Sequence, residues 1–455
     1  MLLASVLPSL LLIGQTNGFA ELELVTSVRG GLLAQPGPDG VEGVAGIPSE
    51  FVGTEALDWS FNPRVVLGAE RREQLFELGY SPSLFYREAD GAVDEVLVRH
   101  VVDARHEWRA LPRLTWSNVA ALDFGETPGV LGGPEAPVDG GQVPEPNPVE
   151  PVAQVVEQLR FNAESAFDGI ASERLSWRLA GNVSLFEPQG EIEDQFQGTL
   201  QVGAFGGLRY ALSRRTNTLL EVEGRYIDIT DQDQTILTGA GRVGLEYLLS
   251  RRWKTEVAAG AVAVERLDVD PDIAALIQGG SDVFPSARLQ VSFRQAPRTR
   301  VQYGFAVYGV LDGVVDQSVG DLRPRMQVGT DFDAIFDQDW ILTFRVNFGT
   351  NVIDGPRPLA IDEDGNPTIF NAFETQLTGG LGLQRNFGPQ WAVVLGVDGS
   401  LRGPHLDIGE ESVLIDGVPT PLDPFQWVAG GVSGNLSIRY LWSSRLSARE
   451  RNAVR

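Results

Sequence analysis

A two-residue alternation of apolar and polar side chains recurs along most of this chain, and no other feature limits its fold as sharply. It is clearest from Gln195 to Asp268, in four runs of about a dozen residues joined alternately by tight basic turns and acidic loops. In one run Leu237, Gly239, Gly241, Val243, Leu245 and Tyr247 alternate with Thr238, Ala240, Arg242, Gly244 and Glu246; in another Leu220, Val222, Gly224 and Tyr226 alternate with Glu221, Glu223 and Arg225. Successive side chains of a strand point to opposite faces, so each run has one apolar and one polar face. Long runs, aromatic residues at their ends, and Arg, Glu or Gln on the second face of nearly every strand are the pattern of a barrel with lipid outside and water inside.

The pattern can be followed in order. The first strand carries Leu22, Leu24, Thr26, Val28, Gly30 and Leu32 on one face, the second carries Trp59, Phe61, Val65 and Leu67, and the third carries Phe76, Leu78, Tyr80, Leu84 and Tyr86. Later strands read from Glu95 to Glu107, Arg113 to Phe124, Leu159 to Phe167, Leu175 to Leu185, Ala287 to Arg294, Arg300 to Val310, Arg325 to Phe336, Trp340 to Thr350, Phe373 to Gln384, Trp391 to Arg402 and Val428 to Trp442. The total is eighteen, counted to within two, and even, as a single-chain barrel with both ends on one side requires. The expected fold is all-β, a transmembrane antiparallel up-and-down barrel. Short connections are mostly basic (Arg71–Arg72, Arg109, Arg214–Arg215, Arg251–Arg252, Arg298), and the longer ones are acidic (Glu191, Glu193, Asp194; Asp268, Asp270, Asp272; Asp362, Glu363, Asp364). Short periplasmic turns and long extracellular loops fit that segregation.

Residues 1–20 read as a secretory signal, apolar from Leu2 to Ile13 with Gly18-Phe19-Ala20 as the cleavage segment. Residues 21–442 then form the barrel, and 443–455, with Arg445, Arg449, Arg451 and Arg455, form a basic periplasmic tail. The expected location is the outer membrane of a Gram-negative bacterium, in contact with its lipid and lipopolysaccharide. A net charge of −25 argues against a nucleic-acid partner. With no cysteine there are no disulfides or thiolate metal sites. Lys254 is the only lysine, so arginine carries almost all the positive charge.

Parity assigns Arg64, Arg99, Arg105, Arg113, Arg160, Arg178, Arg209, Arg225, Arg242, Arg288, Arg294, Arg300, Arg325, Arg345 and Arg439 to the inner face. It puts Asp103, Glu164, Glu221, Glu223, Glu246, Glu256, Asp331, Asp333, Glu374 and Asp398 there too. Cross-strand ion pairs that stiffen a wet wall are one reading of this set. A charged corridor that holds a solute weakly at many points is the other, and both can hold at once. The segment 126–153, rich in Pro, Gly and acid, is either an outward loop or a constriction placed like the inward-folded third loop of porins. Of the histidines, His100 and His106 share parity with Val98 and Val102 on the outer face, and His405 follows Pro404 in a loop. No serine is spaced to use them, no metal-ligand cluster appears, and no cofactor is implied, so catalysis is not expected. The acidic pairs Asp231/Asp233 and Glu410/Glu411 read as solvated loop charge, with divalent cations and lipopolysaccharide as the alternative.

Tyr80-Ser81-Pro82-Ser83-Leu84-Phe85-Tyr86-Arg87, Leu97-Val98-Arg99-His100 and Arg113-Leu114-Thr115-Trp116 look like the early strands of a porin-like group associated with exopolysaccharide systems. The whole chain resembles the eighteen-strand barrels of myxobacterial Wzx/Wzy pathways. That resemblance implies an outer-membrane exit for a polysaccharide handed over by a periplasmic polysaccharide-export protein. Two alternatives remain: a general or sugar-selective diffusion porin for uptake, and a non-conducting adhesion or assembly barrel.

Overall fold

A computed structural model describes residues 17–36, 51–89, 95–128, 155–189, 198–229, 234–267, 281–295, 301–316, 321–336, 339–351, 357–361, 367–370, 375–403, 412–415, 418–421 and 429–444. The first seven strands are β1 (Asn17–Pro36), β2 (Phe51–Glu70), β3 (Gln74–Ala89), β4 (Glu95–Leu111), β5 (Leu114–Pro128), β6 (Val155–Ile170) and β7 (Leu175–Gln189). There follow β8 (Thr199–Ala211), β9 (Thr216–Ile229), β10 (Gln234–Leu248), β11 (Trp253–Leu267), β12 (Ser281–Arg294), β13 (Val301–Asp316), β14 (Asp321–Phe336) and β15 (Trp340–Asn351). The chain ends with β16 (Arg357–Ile361), β17 (Pro367–Phe370), β18 (Thr375–Phe387), β19 (Trp391–Gly403), β20 (Ser412–Ile415), β21 (Val418–Pro421) and β22 (Ala429–Ser443).

Eighteen of these form one antiparallel sheet, while β16–β17 and β20–β21 are separate two-stranded hairpins. Each wall strand pairs with its neighbours along the chain, and β22 pairs back onto β1 from Glu21↔Ser443 to Ala34↔Gly430. The sheet is therefore a closed cylinder without edges, the one sheet form that satisfies every backbone group inside a bilayer. Among the described residues no helix is long and apolar enough to cross a membrane.

The register sorts the side chains. Val28 faces Trp59 and Leu436, and Val243 faces Leu220 and Ala259. All four of these large residues, Val28, Trp59, Leu436 and Val243, are exposed, as are Leu179, Leu208, Leu245, Leu381 and Trp391 on the same outer surface. Aromatic side chains gather near the short-turn end, where Trp116 stacks on Phe167, Trp253 packs with Phe293 and Phe305, and Trp391 packs on Tyr440. An apolar band rimmed by aromatic residues around a closed even-stranded barrel is the wall of a bacterial outer-membrane protein, and that membrane is where this chain resides.

Boundaries differ from the sequence reading in places. Strands β1 and β2 run to 20 residues each, because pairing continues past the apolar band, which ~10 tilted residues suffice to cross. β1 begins at Asn17, so Gly18, Phe19 and Ala20, expected to be the cleavage segment, pair with β2 from Gly18↔Ala69 to Ala20↔Leu67. Residues 1–16 and the tail beyond 444 lie outside the described residues, as do 129–154, His405, Asp231, Asp233, Glu410 and Glu411.

The charged inner wall as candidate functional site

The face opposite the exposed apolar side chains is the inside of the cylinder, and its ion pairs prove the curvature. Arg242 on β10 reaches Asp312 on β13, three strands along the sheet. At ~4.8 Å per strand that is ~14 Å along the wall, a gap that side chains bridge only on the concave side.

Two tiers of charge cross β8–β13 there. In the tier nearer the short turns, buried Glu246 accepts from Arg209, Asn217 and Lys254 (2.8 Å from each of the latter two). Lys254 also touches Glu256 at 3.4 Å, and Arg288 joins Glu256 at 2.8 Å to Glu221 at 2.7 Å. One step further from the turns, Arg242 donates to Ser286 at 2.6 Å and to Glu223 at 3.3 Å as well as to Asp312, while Arg225 holds Glu223 at 2.5 Å. These tiers exist because Glu221, Glu223 and Arg225 share one parity on β9, and the register places them beside Arg242, Ala240 and Thr238 of β10.

Above the second tier the inner wall turns apolar. Ile227, Ile229, Ile236, Val262 and Val264 form a buried cluster with Ala240 and Phe284 against it. The Arg266–Asp282 pair (2.6 Å) closes the sequence of layers.

The rest of the circumference repeats the pairing on a smaller scale. Arg64 binds Asp103 at 2.9 Å, Arg99 binds Asp123 through two nitrogens, and Arg178 binds Glu164 at 2.6 Å with Asp168 at 3.7 Å. Arg105 meets Glu107 at 3.7 Å, Arg345 meets Asp331 at 3.8 Å, and Arg439 binds Glu23 at 2.5 Å across the closing seam. Arg160 lies 5.5 Å from the Phe186 ring centre, Arg325 is buried opposite Asp312, and Asp398 accepts from Asn435 at 2.9 Å. Arg294 and Asp333 share the inner parity and are exposed.

One of the residues assigned to the inner face by alternation stands elsewhere. Arg113 is in the turn between β4 and β5, where its carbonyl accepts from the Ile170 amide at 2.9 Å. The turn takes it because β5 starts only at Leu114, which pairs with Leu111. Arg300 and Glu374 lie outside the described residues. The structure adds Glu23, Glu107, Asp123, Asp168, Lys254, Arg266, Asp282 and Asp312 to the inner wall. Parity was the available signal for most of them: Asp123 continues the Ser117 series on β5, and Lys254 shares the parity of Glu256.

Both described histidines are on the outer wall. His100 stacks on Tyr80 and Phe124, with 2.9 Å between Nδ1 and the Tyr80 hydroxyl. His106 lies edge-on to Trp116 and 3.2 Å from the Asn118 amide nitrogen. Among the described residues no group of three His, Asp or Glu side chains is placed to hold a metal ion.

No known family's sequence pattern matches the chain, and no curated protein does. Solved structures do resemble it in architecture. The outer membrane protein opdK of Pseudomonas aeruginosa is 13% identical with a TM-score of 0.39, over 93% of this chain and 98% of that one. OccK7 (OpdD) of the same organism is 10% identical with a TM-score of 0.41, over 94% and 99%. OccAB4 of Acinetobacter baumannii is 10% identical with a TM-score of 0.40, over 94% and 99%. These are likenesses of build, and no residue role is carried over from them. By its own geometry the chain is an outer-membrane β-barrel of porin-like construction, with eighteen strands and a charged inner wall.

Proposed function

We propose that this chain is a passive outer-membrane channel through which small polar solutes diffuse into the periplasm. One observation carries the reading: a closed eighteen-strand wall, apolar outside, bears charged and hydrogen-bonding side chains on its inside. Eighteen strands ~4.8 Å apart and tilted ~40° make a wall roughly 35 Å across, wide enough for water between facing side chains. Charged groups at that depth are tolerated where water reaches them. Diffusive uptake asks only for what the chain itself holds. Export of a polysaccharide, which the sequence resemblance implies, asks in addition for a periplasmic export protein to deliver the polymer.

Planar-bilayer recording of the purified protein tests the channel: stepwise conductance is expected. Its absence from a properly folded barrel favours a non-conducting adhesion or assembly role instead. A deletion strain separates the two directions of transport. Slower growth on a limiting small solute supports uptake, whereas loss of surface polymer with growth unimpaired supports export.

A further inference from the structure

Resting on the channel reading, we infer that the inner wall favours polar uncharged solutes, of the class of sugars and other polyols, over ions of either sign. The observation is the way its charges are arranged. Arg64, Arg99, Arg178, Arg266, Arg288 and Arg439 are each held by a carboxylate of the same wall. These pairs sit on β2, β4, β7, β11, β12 and β22, so they are spread around the circumference and gathered at no single side. A paired cation and anion act as a dipole whose potential falls off faster than that of a lone charge, and salt screens what is left within ~8 Å. An ion moving off the wall into the bore therefore meets no sustained counter-charge to offset lost hydration.

Pairing cancels charge but leaves hydrogen-bonding capacity. A guanidinium has five N–H donors and a carboxylate about four acceptor sites, and one ion pair uses only some of them. Between the pairs the wall carries hydroxyls and amides: Ser27 with Ser60 at 2.6 Å, Ser184 with Asn162 at 2.6 Å, Gln384 with Asn386 at 2.7 Å, and Tyr308 with Asn347. A polyol exchanges water for such donors and acceptors at little cost and is held weakly at many points, which suits passage. A channel built to draw anions would instead leave its arginines without wall carboxylates.

The test is osmotic swelling of liposomes carrying the full-length protein, at physiological ionic strength. Sorbitol, gluconate and glucosamine match each other in size and differ in charge. Sorbitol is expected to enter severalfold faster than either ion. In Asp123→Asn and Glu164→Gln, which neutralise a carboxylate bound to Arg99 and one bound to Arg178, the gluconate-to-sorbitol ratio is expected to rise; the resistance of each folded barrel to unheated detergent serves as the check on assembly. Gluconate or glucosamine entering as fast as sorbitol overturns the inference, as does an unchanged ratio in both folded variants. No swelling with any solute refutes the channel reading itself, and this inference falls with it.

Discussion

Arg242 shows how much one side chain holds on the inner wall. Nearly buried, it joins Glu223, Asp312 and Ser286, ligands drawn from three other strands. Replacing it by Met leaves two carboxylates near each other without their shared cation. Removing one partner of a buried pair costs more than the pair contributes, because the remaining charge stays desolvated. Arg242→Met is expected to lower stability by about 3 kcal/mol in urea unfolding of the detergent-solubilised barrel. Its neighbour in sequence behaves oppositely. Val243 is exposed to lipid, and an arginine there is expected to cost about 2–4 kcal/mol in the same assay. The side of the wall on which these two residues stand was legible in the sequence, since parity is local. Their partners were not: Asp312 lies 70 residues from Arg242 and Arg288 lies 67 from Glu221, separations that only the register fixes.

Among the elements, β10 and β11 meet at a position that leaves no room for a side chain. Gly260 of β11 faces Arg242, and a Cβ added there would overlap the Gly241 carbonyl oxygen, which is backbone and cannot swing away. Gly260→Val is therefore expected to stop β10 and β11 from pairing, read as loss of the compact, heat-sensitive band on detergent gels; Gly239→Ala, with open space at its Cβ, is expected to keep that band. Gly125 on β5 has both constraints at once, a φ of 113° and the Val98 carbonyl at its Cβ position. Glycine in strands was readable as relief of crowding, but which glycine is indispensable depends on how near the adjacent backbone comes. The apolar inner cluster was illegible for a related reason. Ile227 and Ile236 pair across β9 and β10 on the face that also carries Arg225 and Thr238, so alternation alone labels both faces of that stretch apolar.

At the scale of the molecule the decisive event is closure. β22 joins β19 to β1, and Arg439–Glu23 with the Arg29 to Ser433 hydrogen bond (2.8 Å) ties the seam from inside. A chain cut after Ser444 retains the whole of β22 and is expected to assemble. One cut after Gly434 leaves most of β1 unpaired on one side and is expected to aggregate or be degraded, as outer-membrane fractionation would show. An open edge inside a bilayer strands unsatisfied amides and carbonyls, each worth several kcal/mol.

Composition and two-residue periodicity by themselves settled that this chain is a lipid-facing barrel, which residues turn outward and roughly how many strands there are, because side-chain direction in a strand follows from backbone geometry one residue at a time. Tertiary structure alone decided the rest. It set which carboxylate answers which arginine, where the inner wall turns apolar, which glycine two backbones require and how residue 21 comes to lie beside residue 443. Those are properties of register and closure, and register is a relation between strands that no single strand carries.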